Sequence, residues 1–435
     1  MTTSAIPDPT HCPDMPAFRR RVFYIPGYDP IPPRRYRELY RTESAAQAAL
    51  SGYRIALQAK TGVGPYGWQV TARIEGVEVR AEVDVLVWSD IVRGSMDAGI
   101  AATYVQLVRT SWAYIGSGAL FRLMRLRKGP VIAALYPIVV LMVQLLLAMA
   151  AGVVVMVLVF RGLEMALTAG GLDARFWGGL IGGAGVAGGI VGILVLGWFR
   201  AMDGRFFAYY LMHDYAFTAR DGGANPPELE ARMDQFRQTI ATALASDTDE
   251  VLVVGHSSGA HLAVSILADL IRAGLPDTLP DTRPALSFLS LGQVVPMVSF
   301  LPRAHRLRAD LAYLSTRGEL AWVDVTAPGD GCAFALCDPV AVSGVAPDGQ
   351  RWPLILSAAF TRTLTPARWK ELRWRFFRLH FQYLCAFDNL AGRIDDYDYF
   401  RTTAGPMTLG ARYGARAPSK SRITRAVNHY TDLAA

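Results

Sequence analysis

Apolar residues in the second half of the chain follow two alternating periodicities. Short apolar runs typical of buried strands cover residues 251–254, 285–291 and 320–325, and helical periodicity occupies residues 258–273 and 303–314 between them. Strands that alternate with helices form parallel sheets covered on both faces. The pattern therefore predicts an α/β fold with a mostly parallel sheet covered by helices.

The first part of the chain predicts further strands. Residues 21–25 and 53–59 each have the composition of a short strand. Residues 68–74 and 77–88 alternate apolar and polar positions on either side of Glu75-Gly76, which predicts a β-hairpin. We expect these early strands to belong to the same domain as the later ones.

Three more helices are predicted between the early and the late strands. Residues 98–126 and 202–217 have helical periodicity. Another helix follows Asn225-Pro226, with Asn225 as the expected N-cap and Pro226 as the first helical residue. Its apolar residues recur every three or four positions and are expected in the core: Leu229, Met233, Phe236, Ile240 and Leu244.

Two long stretches in the middle of the chain, residues 131–160 and 176–199, contain no charged residue. Each is longer than the roughly 20 residues that a helix needs to cross the hydrocarbon core of a bilayer. We predict two transmembrane helices that form a hairpin, residues 129–200, inserted into one globular domain. Residues 1–128 would be the N-terminal part of that domain and residues 201–435 its C-terminal part.

The second uncharged stretch carries glycines at a spacing of four residues, which places them on one face of a helix. The pairs are Gly178/Gly182, Gly179/Gly183, Gly185/Gly189 and Gly188/Gly192. Small residues let a neighbouring backbone approach closely, and the first stretch is the nearest candidate partner. Homo-oligomerisation through the same face is the alternative use of this surface.

Basic residues flank the outer ends of the two stretches. They are Arg122, Arg125, Arg127 and Lys128 before the first, and Arg200 and Arg205 after the second. Since basic flanks stay on the cytoplasmic side, the globular domain is expected in the cytoplasm and the chain in a bacterial-type inner membrane. The first 16 residues also lack the apolar core of a secretory signal.

The charge balance argues against nucleic acid as a partner. Lys and Arg number 44 against 37 Asp and Glu, a formal net charge of +7. The densest basic runs, which include residues 122–128 and 368–378, abut an apolar stretch or lie within globular elements, so they form no single basic stripe. We attribute the excess of basic residues to electrostatic attraction between the protein and anionic lipid headgroups.

The four cysteines do not predict a metal site. Cys12, Cys332, Cys337 and Cys385 have neither the spacing of zinc ligands nor that of a disulfide framework. We therefore expect reduced thiols, and we predict no metal or organic cofactor.

Residues 255–259, Gly-His-Ser-Ser-Gly, match G-x-S-x-G directly between a predicted strand and a predicted helix. A serine at so tight a turn must adopt strained backbone angles, and Gly255 and Gly259 avoid collisions with neighbouring elements. The hydroxyl of Ser257 is then exposed as a candidate nucleophile. The helix N-terminus directs free N–H groups toward it, so the N–H of Ser258 is a candidate oxyanion donor. A Gly/Ser-rich turn without catalysis is the alternative.

This strand–turn–helix motif resembles the α/β-hydrolase superfamily, particularly its lipases and esterases, in which Gly-His-Ser-x-Gly is frequent. The resemblance covers residues 21–28 and residues 251 to about 388, and it does not include the hairpin. It implies an α/β-hydrolase-type fold and a triad in the chain order nucleophile, acid, histidine. It also implies a second oxyanion donor just after an early strand. The N–H of Tyr28 fits that place, although the histidine often found beside it in the family is absent.

The chain order leaves few candidates for the base. Of the histidines after Ser257, His261 is expected to face away from the nucleophile, His305 precedes the late acids, and His429 lies in an Arg-rich tail. His380 therefore is the predicted base, and an aromatic-cluster core histidine is the alternative interpretation.

The acid is expected in a loop after a late strand. Asp330 stands between two glycines just after the strand predicted at residues 320–325. A carboxylate in such a turn can point toward an imidazole, so Asp330 is the predicted acid. Asp338, before a proline further along, is the alternative.

Together these residues predict a membrane-anchored serine esterase or lipase that cleaves a carboxylic ester through an acyl-enzyme. The hairpin suggests a lipid or lipid-like substrate, because it would hold the site close to acyl chains. The expected partners are thus this ester and membrane lipids. An acyltransferase or thioesterase with the same triad, and a catalytically inactive membrane scaffold, are the alternatives.

Overall fold

The computed structural model describes residues 17–29, 31–62, 64–96, 99–170, 177–275, 284–390 and 396–433. Its strands are β1 (Phe18–Ile25), β2 (Arg54–Ala59), β3 (Gly67–Ile74), β4 (Val77–Val85), β5 (Glu250–His256), β6 (Ala285–Leu291), β7 (Leu320–Thr326) and β8 (Leu354–Ser357). Its helices are α1 (Pro33–Ser51), α2 (Ser89–Met96), α3 (Ile100–Gly116), α4 (Ala119–Leu126), α5 (Lys128–Ala169), α6 (Trp177–Ala201), α7 (Asp203–Phe206), α8 (Ala208–Ala219), α9 (Pro227–Leu244), α10 (Gly259–Arg272), α11 (Val295–Ser299), α12 (His305–Ser315), α13 (Pro339–Val342), α14 (Phe360–Thr363), α15 (Pro366–Leu372), α16 (Phe376–His380), α17 (Tyr399–Ala404) and α18 (Leu409–Tyr413). A 3-10 helix, Phe381–Leu384, follows α16.

The strands form one sheet in the order β2-β3-β4-β1-β5-β6-β7-β8. All neighbours are parallel except β3, which is antiparallel to both β2 and β4. Between β3 and β4, Glu75 and Gly76 have φ of 55° and 81°, as a two-residue type I′ turn requires. The predicted β-hairpin is confirmed, and β1 lies in the middle of the sheet between β4 and β5.

Side chains of the central strands alternate between two cores, one on each face of the sheet. Val22 and Tyr24 of β1 belong to the core that includes α1 and the helices α14–α18. Phe23 and Ile25 of the same strand belong to the core that includes α9, α10 and α12. The sheet is therefore covered by helices on both faces, which confirms the predicted α/β class.

Two local predictions differ from the structure. The N-cap of α9 is Pro226 and its first residue is Pro227, whereas Asn225 donates a hydrogen bond to Glu230 over 2.9 Å. The predicted apolar face of this helix is buried as expected. Strand β8, which pairs with β7 in parallel, was not predicted, because four residues are too few to show a period.

Two segments predicted as single helices are each divided in the structure. A break at Ser117 and Gly118 separates α3 from α4, and Gly118 has a left-handed φ of 70°. Phe207, with φ 54°, separates α7 from α8 in the same way. A right-handed helix cannot continue through such a residue. Residue 98, where the first of these helices was predicted to begin, lies outside the described residues.

The two uncharged stretches correspond to α5 and α6, which are long and apolar enough to cross a membrane. Helix α5 has 42 residues, about 63 Å at 1.5 Å per residue. It continues past the predicted end at residue 160 and includes Arg161 and Glu164, which form an ion pair. Residues 1–16 and residues 171–176, which include the first residue of the second uncharged stretch, lie outside the described residues.

Glycines bring α5 and α6 into close contact at one place. A Cβ on Gly188 would lie 2.5 Å from the carbonyl oxygen of Gly152, and a Cβ on Gly152 would lie 2.7 Å from that of Gly188. Gly192 faces Ala148 in the same contact. By contrast, Gly185 and Gly189 have open space beside them. The predicted contact between the two helices is thus formed by one part of the glycine face.

The outer surfaces of α5 and α6 are apolar and exposed, whereas the beginning of α5 is part of the domain. Leu158 of α5 and Ile193 of α6 each expose about two thirds of their surface. In contrast, Val131 and Leu141 near the start of α5 are buried against α3, α4 and α8. The hairpin is therefore packed onto the domain at its base and exposes apolar side chains beyond it.

Candidate active site

Ser257 lies at the sharp turn between β5 and α10. Its φ is 56°, in the left-handed region that non-glycine residues rarely adopt. The backbone N–H of Ser257 donates to the carbonyl oxygen of Leu291 at the end of β6, over 2.9 Å. Its side chain is partly exposed. Such strain persists only where the surroundings hold it, and it is common at functional sites.

The two glycines of the motif allow this turn to approach its neighbours. A Cβ on Gly259 would lie 2.7 Å from the carbonyl oxygen of Pro26, just after β1. A Cβ on Gly255 would lie 2.7 Å from the Cα of Ala260 in α10. Both distances are too short for any side chain, so the collisions predicted from the sequence are confirmed.

Asp330 and His380 form a buried, hydrogen-bonded pair near this turn. The Asp330 Oδ2 lies 2.7 Å from the His380 Nδ1, and it also accepts a 3.0 Å hydrogen bond from the Tyr383 hydroxyl. The other oxygen, Oδ1, accepts from the backbone N–H of Cys332 over 2.8 Å. Burial opposes ionisation of this carboxyl, but the charge and hydrogen bond of His380 and the other two donors lower its pKa below the usual value.

Ser257 and His380 line one cavity of about 90 Å³. The Nδ1 of His380 is hydrogen-bonded to Asp330. Its Nε2 is therefore the ring atom that can bind a substrate or the Ser257 hydroxyl. Within the described residues the hydroxyl and the imidazole form no hydrogen bond in this state. Catalytic hydrogen bonds are often long before substrate binds, so the shared cavity is the more informative observation.

Both candidate oxyanion donors lie beside Ser257. Tyr28 and Ser258 line the same cavity. The backbone before Tyr28 passes so close that a Cβ on Gly27 would lie 3.4 Å from the Ser257 Oγ. Ser258 is the N-cap of α10, and its N–H has no acceptor within the described chain. Their positions agree with the sequence-based expectation, and their role as donors stays a prediction.

His256, within the serine motif, supports the imidazole of His380 and was missed by sequence reasoning. Its Nε2 lies 3.0 Å from the carbonyl oxygen of His380, and the two ring centroids are 4.8 Å apart. Burial and the nearby charge of His380 lower the pKa of His256 to about 3. It is therefore a neutral ring whose Nε2 donates to that carbonyl.

Gly292 is a second residue that sequence reasoning missed. It follows β6 directly and has φ 53°. A Cβ here would lie 2.7 Å from the Cε2 of Tyr383 and 3.1 Å from the Cε1 of His380. Because Gly292 has no side chain, the rings of Tyr383 and His380 can occupy these positions. The feature of the sequence that could have identified Gly292 is its position immediately after a predicted parallel strand.

Asp338, the alternative candidate for the acid, has another role in the structure. Asp338 is the N-cap of α13, where it accepts hydrogen bonds from the backbone N–H groups of Val340 and Ala341 and from Gln350. Asp338 therefore caps a helix, and the carboxylate that is hydrogen-bonded to His380 is that of Asp330.

The expectation for His261 was wrong. It was predicted to face away from Ser257, but it lines the same cavity. A residue one turn into α10 can reach this space because the turn at Ser257 lies directly beside the helix. Its Nδ1 is buried with no hydrogen-bond partner among the described residues, and burial lowers its pKa to about 4.

The side chains of Asp330, Cys332 and His380 also place three potential metal-ligand atoms within 4.8 Å of one another. Burial and the neighbouring Asp330 raise the pKa of the Cys332 thiol, so the thiolate that a metal prefers is disfavoured. The carboxylate oxygens already accept three hydrogen bonds. These residues therefore fit an Asp–His pair better than a metal centre. Cys332, Cys337 and Cys385 are unpaired thiols, and Cys12 lies outside the described residues.

The cavity is also lined by two carboxyl groups, Asp29 and Asp214, whose pKa values are raised. Burial and the nearby Asp29 raise the pKa of Asp214 to about 8, and burial raises the pKa of Asp29. At neutral pH the Asp214 carboxyl is therefore mostly protonated and adds little negative charge to the cavity.

No known family model matches the chain, and neither the curated proteins nor the solved structures contain a match to it.

Proposed function

We propose that this protein is a serine hydrolase with an α/β-hydrolase-type fold, in which Ser257, His380 and Asp330 act as a catalytic triad. The observation that carries this proposal is a strained serine turn in one cavity with an imidazole that is hydrogen-bonded to a buried carboxylate. Ser257 and Asp330 follow the parallel strands β5 and β7. The carboxyl ends of parallel strands are the edge at which open α/β sheets bind ligands.

The reaction follows from the atoms available. His380 Nε2 takes the Ser257 proton as Oγ bonds to the ester carbonyl carbon, and the N–H groups of Ser258 and Tyr28 stabilise the oxyanion. Asp330 stabilises the imidazolium and holds the ring in the required tautomer. Collapse breaks the ester C–O bond, and His380 returns the proton to the leaving alcohol. Water then repeats the sequence on the acyl-enzyme and releases the acid.

The particular activity that we propose is that of a membrane-anchored esterase or lipase. Helices α5 and α6 would cross the bilayer, since their exposed apolar surface would be costly in water. The basic residues at the outer ends favour a cytoplasmic location for the domain. A helix pair buried in a soluble core would not expose residues such as Leu158 and Ile193.

A lipid or lipid-like ester is the substrate class that fits the cavity best. Pro130, at the start of α5, lines the cavity together with Ser257, so the nucleophile lies beside the base of the hairpin. Several apolar side chains also line the cavity, among them Leu211, Met297 and Phe381. An uncharged ester attached to an acyl chain matches both the wall and the location.

Fluorophosphonate labelling of the purified full chain in detergent tests the nucleophile. We expect labelling of the wild type, and no labelling together with a loss of ester hydrolysis of about 10³-fold or more in Ser257→Ala. Ser421→Ala, at an exposed serine in the C-terminal segment, is the matched control and should label like the wild type.

Absence of labelling in a folded wild type would contradict the proposal and favour the inactive scaffold. A second measurement distinguishes hydrolysis from transfer, because both use the same acyl-enzyme. The labelled-acyl product is followed with and without an added alcohol. Free acid as the main product supports an esterase, and an alcohol ester as the main product supports an acyltransferase.

A further inference from the structure

A short basic and aromatic segment near the candidate site has no role in the proposed chemistry. We define the interfacial segment as residues 368–378, which contain four Arg, one Lys and one Glu. Three of its aromatic rings point outward: Trp374 is 73% exposed, Phe376 50% and Phe377 37%. Large aromatic side chains exposed side by side commonly mark a contact surface.

The interfacial segment lies near the residues that flank the two outer ends of the hairpin. The ring of Phe377 lies 5.3 Å from that of Phe207, six residues beyond the end of α6. Phe376 contacts Gly331, and a Cβ on Gly129, at the start of α5, would lie 3.2 Å from the same Gly331. The segment and the two ends of the hairpin are therefore adjacent on one side of the domain.

This side of the domain also borders the cavity of Ser257. Phe377 of the interfacial segment and Pro130 of α5 both line the cavity. The segment leads directly into His380 through α16. Whatever binds the interfacial segment thus binds at the edge of the cavity, next to the hairpin.

The charges of the segment favour an anionic partner. Its one acid, Glu371, forms ion pairs with Arg368, Arg375 and Arg378, at 2.9, 3.2 and 3.7 Å. The positive excess remains after these pairs, and Arg373 lies over the Trp374 ring at 5.6 Å. Cations interleaved with aromatic rings are typical of surfaces that bind the headgroup layer of anionic membranes.

We propose that the interfacial segment inserts Trp374 and Phe376 into the headgroup layer of the bilayer that holds α5 and α6. The cavity then opens toward that bilayer, and the ester reaches Ser257 laterally from the lipid without crossing water. This inference rests on the proposed function for its substrate and for the bilayer that α5 and α6 cross, and on the segment's own exposed rings and charges for its contact with that bilayer. Continuity with the hairpin selects the bilayer over a soluble partner.

The test uses the full chain reconstituted in vesicles that contain anionic lipid. Lipids brominated near the headgroup quench tryptophans that contact them. We expect Trp374→Phe to remove a measurable part of this quenching. The control is Trp352→Phe, which should remove none, because the indole of Trp352 donates a hydrogen bond to the Arg317 carbonyl oxygen on the domain. Equal quenching in the wild type and Trp374→Phe would overturn the membrane contact.

Activity provides the second measurement. We expect Arg373→Glu/Trp374→Ala to lower hydrolysis of an ester embedded in the vesicles by about tenfold or more. Its rate on a short water-soluble ester should stay within about twofold of the wild type, because neither side chain lines the cavity. Leu50→Ala, an exposed apolar side chain on α1, is the control and should change neither rate.

The outcomes separate the two proposals. An equal loss on both esters would mean that the segment supports the site and does not bind lipid. A concentration-dependent dimer of the wild type that the double variant abolishes would make a second copy the partner. A wild type that hydrolyses neither ester and resists fluorophosphonate would contradict the proposed function alone, since the quenching measurement still tests the segment.

Discussion

The sheet edge around Ser257 and the outer surface of the hairpin have opposite distributions of polar and apolar groups. At the sheet edge, Asp330 and His380 are buried and joined by a hydrogen bond of 2.7 Å. On the hairpin, Val153 and Leu194 are apolar and more than half exposed. A buried charge is tolerated only when it is paired, and an exposed apolar helix is favourable only in contact with lipid or another apolar surface.

The two regions therefore have separable requirements. In the proposed mechanism the sheet edge needs atoms held within tenths of an ångström, so small changes there should alter activity. The hairpin needs a close helix contact and an apolar exterior, so changes there should alter stability or membrane association. The predictions that follow test this separation in decreasing order of effect.

Asp330→Asn should lower ester hydrolysis by about 10⁴-fold, because an amide cannot hold His380 in the tautomer that accepts the serine proton. Steady-state kinetics at neutral pH measure this loss. Asp338→Ala is the matched control: it removes the N-cap of α13 and should cost about 0.5–2 kcal/mol of unfolding free energy. Its folded fraction should remain active. The reverse pattern would make Asp338 the acid.

Gly292→Ala should lower activity by about 10²-fold, since its Cβ would displace the rings of Tyr383 and His380. Gly349→Ala is the control, because Gly349 also has a positive φ, 83°, but open space around it. In both variants backbone strain should lower the free energy of unfolding by about 1–2 kcal/mol. Kinetics and thermal unfolding together check this, and similar activities of the two would contradict a ring-positioning role for Gly292.

Gly188→Leu should separate α5 from α6 and destabilise the hairpin by about 1–3 kcal/mol, because a side chain there overlaps the Gly152 carbonyl. Gly189→Leu adds the same side chain one residue away, where space is open. Thermal unfolding in detergent distinguishes them, and labelling of Ser257 in the folded protein should be retained in both. Equal destabilisation would mean that the glycine contact is not what joins the helices.

Tyr383→Phe should lower activity by about fivefold, or about 1 kcal/mol, because it removes one of three donors to the Asp330 carboxylate. Tyr397→Phe removes a buried hydrogen bond of the same length, to the Tyr383 carbonyl, and leaves the carboxylate untouched. It should therefore affect stability and leave the rate of the folded enzyme nearly unchanged.

The same variant has an expected pH dependence. Because the folded-state pKa of Asp330 is lowered, its ionised form stabilises the fold above the unfolded pKa of about 4, and this contribution disappears as pH falls through the folded value. In Tyr383→Phe the folded pKa moves up toward the unfolded one. The stability gained on raising pH across this region should then be smaller than in the wild type. Denaturant unfolding at several acidic pH values measures it.

The motif around Ser257 could be predicted because all of its requirements are local. The strand, the turn and the helix are consecutive, and both glycines lie within two residues of Ser257. The two apolar helices could also be predicted, because a long stretch without charged residues can be recognised from the sequence alone. Asp330 and His380 could be named only through a family resemblance, and their contact is a property of the folded chain.

The features that sequence reasoning missed all depend on distant partners. Gly292 matters because two rings 88 and 91 residues further along occupy the space beside it. The ring of His256 is important because its partner is the His380 backbone. His261 was misjudged because its distance from Ser257 along the helix says nothing about which loops enclose the cavity around them.

The α/β class, the serine turn and the two apolar helices could be derived from the sequence alone, because each depends on periodicity or spacing within a short stretch. The folded chain alone shows the place of β1 in the sheet, the hydrogen bond of His380 to Asp330 and the position of the interfacial segment near the hairpin. These depend on contacts between residues tens to hundreds of positions apart, which are set by how the whole chain packs.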